Sequence, residues 1–232
     1  MIELEHISKS FGAGHLRVQA LRDVTLQLLQ GEFASVTGPS GSGKSTLLHL
    51  MAGMLPPDTG HIFINGWNMY ECPEAKQTAF RRNNIGFVFQ SFNLIPTLTA
   101  EENILLPALA CGNTDAVQAR RAALELMSRM GLRERRNSYP GNLSGGEQQR
   151  TALARAMMMR FLLKKKGGLL IADEPTGNLD SANGCHICRM MTELCRECET
   201  TLVIATHDPM VEQFTNRHFV MRDGEVTEKH DI

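Results

Sequence analysis

The sequence lacks an excess of charge of either sign and lacks a long apolar run. Its 232 residues include 24 Lys and Arg against 25 Asp and Glu, which gives a formal net charge of −1 with neutral histidines. This balance argues against a polyanion-binding protein, and no nucleic-acid partner is expected. No apolar stretch reaches the roughly 20 residues that span a bilayer. The richest stretch, over 157–163, is interrupted by Arg160.

Other features of specialised chains are missing as well. The first residues show no basic segment followed by an apolar core, so no secretory signal is evident and the cytosol is the expected compartment. Six cysteines in such a chain favour free thiols over a disulfide framework. Neither an internal repeat nor a low-complexity segment is found. An ordinary globular composition, with 42% hydrophobic residues, favours one domain with sub-lobes.

Hydrophobic periodicity predicts strands that alternate with helices, which is typical of an α/β protein with a mostly parallel sheet covered on both faces. An all-helical stretch is predicted between residues 98 and 136. Within it, one helix face is expected to consist of Val117, Ala123, Leu124, Met127 and Met130. Strands are predicted over 2–7, 18–29 with a break, 33–37, 61–65, 85–89, 169–172, 201–206 and 218–221, and helices over 44–54, 116–130 and 181–198.

A glycine-rich loop stands between the strand at 33–37 and the helix at 44–54. Residues 38–45 are GPSGSGKS and satisfy the pattern G-x-x-x-x-G-K-[ST] in its expected context. In such a loop, backbone N–H groups surround phosphates, Lys44 pairs with β- and γ-phosphate oxygens, and the Ser45 hydroxyl reaches Mg²⁺. A nucleoside triphosphate is therefore the expected ligand. The predicted contacts come from Gly38, Ser40, Gly41, Gly43, Lys44, Ser45 and Thr46.

A second candidate site follows the apolar strand at 169–172, which ends in the carboxylates Asp173 and Glu174. Ligands of open α/β sheets collect at this end of a strand. Asp173 is predicted to hold Mg²⁺, and Glu174 to orient and deprotonate a water that attacks the γ-phosphate. Because a strand followed by an Asp-Glu pair is common, this prediction depends on the phosphate loop upstream.

Residues 143–150, LSGGEQQR, resemble the signature motif of ATP-binding cassette (ABC) ATPases. Further matches to this family follow in order over nearly the whole chain. The resemblance implies that Phe11 stacks on adenine and that Val18 lies beside the nucleotide. It also implies that Gln90 serves Mg²⁺ and the attacking water, that Asp180 lies in the loop GNLD, and that His207 contacts the γ-phosphate.

The resemblance implies a P-loop ABC ATPase fold with a mostly parallel core sheet, an N-terminal antiparallel β lobe and an inserted all-helical lobe. Residues 1–90 and 156–232 would form the RecA-like core with the β lobe, and 91–155 the helical lobe. In this family two cassettes pack head to tail, so that Ser144 and Gly146 of one subunit contact the γ-phosphate held by the other. An ATP-sandwich homodimer with ATP and Mg²⁺ is implied.

Residues 90–103 and 172–180 are similar to the branch of the family that contains LolD, MacB and FtsE. This similarity implies an ATPase that moves or serves an integral membrane permease with a large extracytoplasmic domain, docked beside Gln90 and residues 91–103. The chain would then lie peripherally at the cytoplasmic face of the inner membrane.

The same motifs allow three alternatives. An FtsE-like envelope or regulatory role without transport stays open, because the difference lies in the partner. A DNA-associated ABC ATPase is disfavoured by the near-zero charge and the lack of a coiled coil. A P-loop kinase or small GTPase leaves the signature motif and His207 unexplained.

Two segments depart from the family pattern. The stretch between Arg155 and Asp173 is longer than usual and carries Arg160 and the lysines 164–166, for which a surface loop is the expectation and contact with anionic lipid an alternative. The helix at 181–198 carries two CxxC pairs. Because Cys188 and Cys195 are separated by about 10 Å of helical rise, all four thiols cannot bind one tetrahedral metal. Free apolar thiols are expected for Cys185, Cys188, Cys195 and Cys198, and a redox or metal response of a pair stays open.

Overall fold

The computed structural model describes residues 1–112 and 114–229. The strands are β1 (Ile2–Phe11), β2 (Val18–Leu28), β3 (Phe33–Thr37), β4 (Thr59–Ile64), β5 (Trp67–Asn68), β6 (Ile85–Val88), β7 (Leu169–Asp173), β8 (Thr201–Thr206), β9 (Arg217–Arg222) and β10 (Glu225–Glu228). The α-helices are α1 (Lys44–Met51), α2 (Glu74–Asn84), α3 (Ala100–Leu109), α4 (Ala116–Arg129), α5 (Gly145–Leu163) and α6 (Ser181–Glu197).

The larger sheet has six strands in the order β10-β9-β3-β8-β7-β6 and is parallel except for the β9–β10 pair. Its central strands are buried on both faces. In β7, Leu170 and Ala172 face the apolar cluster formed with the helices α3 to α6, whereas Leu169 and Ile171 face the cluster formed with α1 and the second sheet. Burial on two faces explains why these strands are uninterrupted apolar runs.

The smaller sheet is antiparallel, with the strand order β2-β1-β4-β5, and lies in the N-terminal part of the chain. The predicted division into a mostly parallel core sheet and an antiparallel β lobe is therefore confirmed. Strand β2 is continuous, and the expected break corresponds to shifts in its register with β1 between Leu4 and Ser10. Helix α2 and the short strands β5 and β10 were not predicted. No residue of α2 is fully buried, and its sequence has no apolar stripe from which a helix could be predicted.

Helices α3 and α4 lie within the all-helical stretch predicted at 98–136, and both pack against α5. The predicted face of α4 was wrong at Val117, whose surface is 77% exposed. At 100° per residue, Val117 lies across the helix from the buried stripe of Ala119, Ala123, Leu126 and Met127. Leu126, which the prediction omitted, takes the buried position.

The expected surface loop after Arg155 is instead a continuation of α5 to Leu163. Arg160 is buried, and its guanidinium donates to the Asn83 carbonyl at 2.7 Å. Only the segment at 164–168 leaves the helix, and there Lys166 pairs with Glu199. Over residues 1–112 and 114–229, no helix is both long enough and apolar enough to cross a membrane.

Candidate active site

The candidate catalytic residues meet at the carboxyl edge of the parallel sheet. Strands β3, β8, β7 and β6 are neighbours in that order, and their ends are in register. The phosphate loop follows β3, His207 follows β8, Glu174 follows β7, and Gln90 lies two residues beyond β6. Together they border a cleft of about 790 Å³. The predicted residues that line it are Phe11, Val18, Ser40, Gly41, Gly43, Lys44, Ser45, Thr46, Gln90, Glu174 and His207.

The phosphate loop holds its shape through glycine. Gly43, the N-cap of α1, has φ 106°, and a Cβ at this position would lie 2.4 Å from the Ala20 carbonyl oxygen. No side chain caps α1, so the N–H groups of its first turn point into the cleft with the positive end of the helix dipole. The buried Lys44 ammonium donates to the carbonyls of Gly38 and Pro39 at 2.8 and 3.0 Å. An ammonium has a third hydrogen, which is available to an anion.

Asp173 lies behind the cleft beside Ser45. It is almost fully buried, and its Oδ1 has no hydrogen-bond partner. Burial raises the pKa of Asp173 above its ordinary value, while the Ser45 hydroxyl and the charges of His49 and Lys44 act in the opposite direction. A buried, unpartnered carboxylate oxygen next to a hydroxyl is a donor set that suits a hard divalent cation such as Mg²⁺.

Glu174 and His207 lie side by side. His207 Nδ1 is 2.9 Å from Glu174 Oε2, and the imidazole is exposed while the carboxylate is largely covered. Glu174 has φ 47°, an uncommon value for a residue with a side chain, and its N–H donates to the Ala205 carbonyl at 2.9 Å. Such backbone strain persists where the surrounding structure enforces it, and it clusters at functional sites.

The loop after Gln90 is held by the helical lobe. Phe92 and Asn93 have φ 60° and 48°, and both of their carbonyls accept hydrogen bonds from the guanidinium of Arg155, at 2.8 and 2.6 Å. On the other side, the Asn178 side chain donates to the Gln90 carbonyl at 3.0 Å. Arg155 and Asn178 therefore position Gln90, a role that no sequence pattern indicated.

The far wall of the cleft comes from both sheets. Phe11 and Val18 are exposed, with 43% and 64% of their surfaces accessible, and present apolar area to the cleft. Sequence reasoning missed Arg22, which lines the same wall, and the Asp223-Gly224 turn, which joins it there. The Arg22 N–H donates to the Gly224 carbonyl at 2.8 Å. An Asp-Gly pair is a hairpin signal, but its place beside the cleft depends on this contact between the two sheets.

Five predicted residues do not line the cleft: Gly38 and Asp173, which contact the cleft residues Lys44 and Ser45, and Ser144, Gly146 and Asp180. Ser144 is exposed at the N-terminus of α5, where it forms a capping box with Glu147. The Ser144 N–H and Arg135 lower the pKa of Glu147 to about 2. Asp180 caps α6 by accepting from the Asn183 N–H at 2.9 Å. The signature motif thus presents its helix N-terminus to the surface instead of to the phosphate loop of its own chain.

The six cysteines of the chain are free thiols. On α6 and its C-cap, Cys188 and Cys195 are fully buried and Cys185 and Cys198 are half-buried, which agrees with the expected apolar face. Within the part of the chain that the structure describes, no group of three or more His, Cys, Asp or Glu residues is arranged to hold a metal ion.

Comparison with known proteins agrees with this geometry. Residues 21–177 match the ABC transporter domain family. The lipoprotein-releasing system ATP-binding protein LolD of Bacteroides fragilis is 42% identical over 226 residues, which cover 97% of this chain and 100% of LolD. The macrolide export ATP-binding/permease protein MacB of Marinobacter nauticus is 41% identical over 228 residues, which cover 98% of this chain and 34% of MacB.

Among solved structures, the dimeric ATP-binding cassette MJ0796 in a post-hydrolysis state with ADP and Pi is 38% identical. It superposes with a TM-score of 0.89 over 99% of this chain and 98% of that cassette. The chain therefore belongs to the ABC transporter family, as an ATP-binding subunit with the fold of an ABC ATPase cassette.

Proposed function

We propose that two copies of this chain close around two ATP molecules and that hydrolysis of the nucleotide drives a membrane permease. The observation that carries this proposal is the separation of Ser144 from the cleft. The cleft contains the phosphate loop, Glu174 and His207, but the signature helix faces outward. A two-fold dimer brings the same two surfaces together twice, and each copy completes the other's site.

The residues that line the cleft have separate proposed roles in binding ATP and in activating the attacking water. The free N–H groups of α1 and the Lys44 ammonium bind phosphate oxygens, and Phe11 stacks on the base. Glu174 takes the proton of the attacking water, and His207, at 2.9 Å, orients that carboxylate and contacts the γ-phosphate. Ser144 and Gly146 of the second copy add hydroxyl and N–H donors to the same phosphate.

Asp173, Ser45 and Gln90 are the residues that would hold Mg²⁺. The buried, unpartnered Asp173 Oδ1 beside Ser45 supports this assignment. When bound, the cation supplies positive charge to the phosphate oxygens.

The proposed partner is an integral membrane permease with a large extracytoplasmic domain. The relatives LolD and MacB, which are named for lipoprotein release and macrolide export, support a complex of this kind. The loop at 91–103, tied to α5 through Arg155, is the proposed docking surface. In such a complex the chain lies peripherally, at the cytoplasmic face of the inner membrane.

Glu174→Gln tests the chemistry and the partner together. We expect turnover to fall by about 10²- to 10⁴-fold because the base is lost, while the isosteric amide leaves ATP binding intact. The tagged variant, extracted from membranes with ATP present, should retain a permease in stoichiometric amount. Hydrolysis by Glu174→Gln at the wild-type rate would exclude Glu174 as the general base. Recovery of no membrane protein, with wild-type ATPase activity intact, would instead indicate an ABC ATPase without a permease.

A further inference from the structure

Sulfur atoms from two elements meet where α6 packs against the 3-10 segment that follows β8. The Cys185 thiol donates to Met210 Sδ at 3.3 Å, from α6 to the 3-10 segment Pro209–Phe214. Cys188 follows one turn later in α6. Burial, and then the charges of Cys185 and Asp208, raise the pKa of its thiol to about 12. Residues three apart on a helix have Cβ atoms about 5–6 Å apart, so Cys188 lies beside Cys185, and with Met210 the two cysteines form a three-sulfur cluster between two segments of the chain.

One side of the cluster is exposed to solvent, and the other side packs in the apolar core. Cys185 and Met210 are half-buried and reach solvent, whereas Cys188 is fully buried in the apolar core. His186 points to the exposed side of α6 and does not take part. Two thiols and one thioether are soft ligands, and few in number, which favours a soft monovalent cation over a hard or four-coordinate one.

We propose that Cys185, Cys188 and Met210 bind a soft monovalent cation of the Cu(I) class. Three metal–sulfur bonds form and the two thiol S–H bonds break. Both protons pass to water, and no electron is transferred. Sulfur atoms that share one metal ion at about 2.3 Å lie about 4 Å apart. Cys185 and Met210, now 3.3 Å apart, must therefore separate slightly to admit the ion.

The position of the cluster couples it to the cleft. Gly184 lets α6 approach the segments that follow β7 and β8, because a Cβ there would lie 3.4 Å from Met210 and 3.4 Å from Thr176. Thr176 lies two residues after Glu174, and Met210 three residues after His207. Displacing Met210 from α6 is therefore expected to disturb the contact between Glu174 and His207. This consequence rests on the proposed function, whereas binding of the cation does not.

The test is a Cu(I) titration of the full chain, reduced and free of nucleotide, in competition with the chromophoric chelator bicinchoninate. Ag(I), which is redox-inert, is a second probe. The wild type should retain one equivalent of Cu(I). Affinity should fall at least about 10-fold in Cys185→Ser and in Met210→Leu, each of which removes one ligand. Circular dichroism checks the fold, and Met210→Leu keeps the side-chain volume.

Cys198→Ser is the matched control, because Cys195 and Cys198, at the C-terminal end of α6 and its C-cap, have the same spacing and one fully buried thiol. Its Cu(I) affinity should equal that of the wild type. The proposal is overturned if the wild type retains no Cu(I) against the chelator, if Met210→Leu binds as the wild type does, or if Cys198→Ser weakens binding as much as Cys185→Ser. Turnover that stays unchanged with the ion bound would overturn the coupling to the cleft.

Discussion

Subunit mixing provides a quantitative test of whether Ser144 acts on a partner's nucleotide. Lys44→Ala removes the buried ammonium of the phosphate loop, and Ser144→Arg places a bulky cation at the exposed N-terminus of α5. The positive end of the helix dipole already lies there, so an added cation is unfavourable. If each site combines two chains, either variant alone forms dimers with no intact site and should hydrolyse almost no ATP.

The expected recovery follows from two-fold symmetry. When equal amounts are mixed, about half of the dimers contain one copy of each variant. In a mixed dimer, the intact phosphate loop of the Ser144→Arg chain faces the intact signature motif of the Lys44→Ala chain, and the other site carries both defects. The mixture therefore has about one quarter of the wild-type number of intact sites, and turnover should recover to about that fraction.

The assay is phosphate release at saturating ATP and Mg²⁺, with the chains combined in different ratios before ATP is added. Turnover should peak at the equal ratio. Loss of the Ser144 cap also lowers stability, by about 1 kcal/mol. Thr99→Ala is the matched control, since Thr99 forms the same capping box with Glu102 at the start of α3.

Thr99→Ala should lower the free energy of unfolding by a similar amount and leave turnover per folded chain unchanged. The composite-site reasoning fails if Ser144→Arg alone hydrolyses ATP at the wild-type rate. It also fails if Thr99→Ala loses as much turnover as Ser144→Arg.

Three further predictions concern single residues. Gly43→Ala should lower the free energy of unfolding by about 2–4 kcal/mol in urea, because its Cβ meets the Ala20 carbonyl at 2.4 Å. Gly41→Ala has open space around it but φ 79°, so it should lose only about 1–2 kcal/mol through left-handed backbone strain and mainly weaken ATP binding in a nucleotide titration. Equal destabilisation would contradict this. Asp173→Asn should raise the Mg²⁺ concentration for half-maximal turnover at least about 10-fold, and an unchanged Mg²⁺ dependence would exclude the assigned role. The lowered pKa of Glu147, about 2, stabilises the fold above the ordinary carboxyl pKa, and this stability is lost as pH falls towards 2. Between pH 7 and pH 3 the wild type should therefore lose about 1–2 kcal/mol more than Glu147→Gln, measured by denaturant unfolding, and equal losses would refute this.

The sequence predicted those parts of the site that depend on short stretches of chain. A strand, a glycine loop and a helix in succession specify the phosphate loop, because the N–H groups and the strained Gly43 belong to neighbouring residues. The same holds for Glu174 at the end of β7. Parallel pairing then brings strand ends to one edge, where the structure has Gln90 and His207, which were predicted as site residues only through the resemblance to ABC ATPases.

Other features depended on contacts between distant segments, which no local pattern encodes. Arg160 was misassigned because its carbonyl partner lies on α2. Val117 is a different case, because at 100° per residue the sequence itself places it away from Ala119 and Ala123. By itself, then, the sequence determined the family, the order of the motifs and the residues available for chemistry. Only the tertiary structure decided that the Asp223-Gly224 turn closes the cleft. The resemblance implied that Ser144 serves the other subunit's site, and the structure adds that Ser144 lies outside the cleft of its own chain. Both depend on how separate elements pack, and packing is settled by burial and close contact across the whole chain.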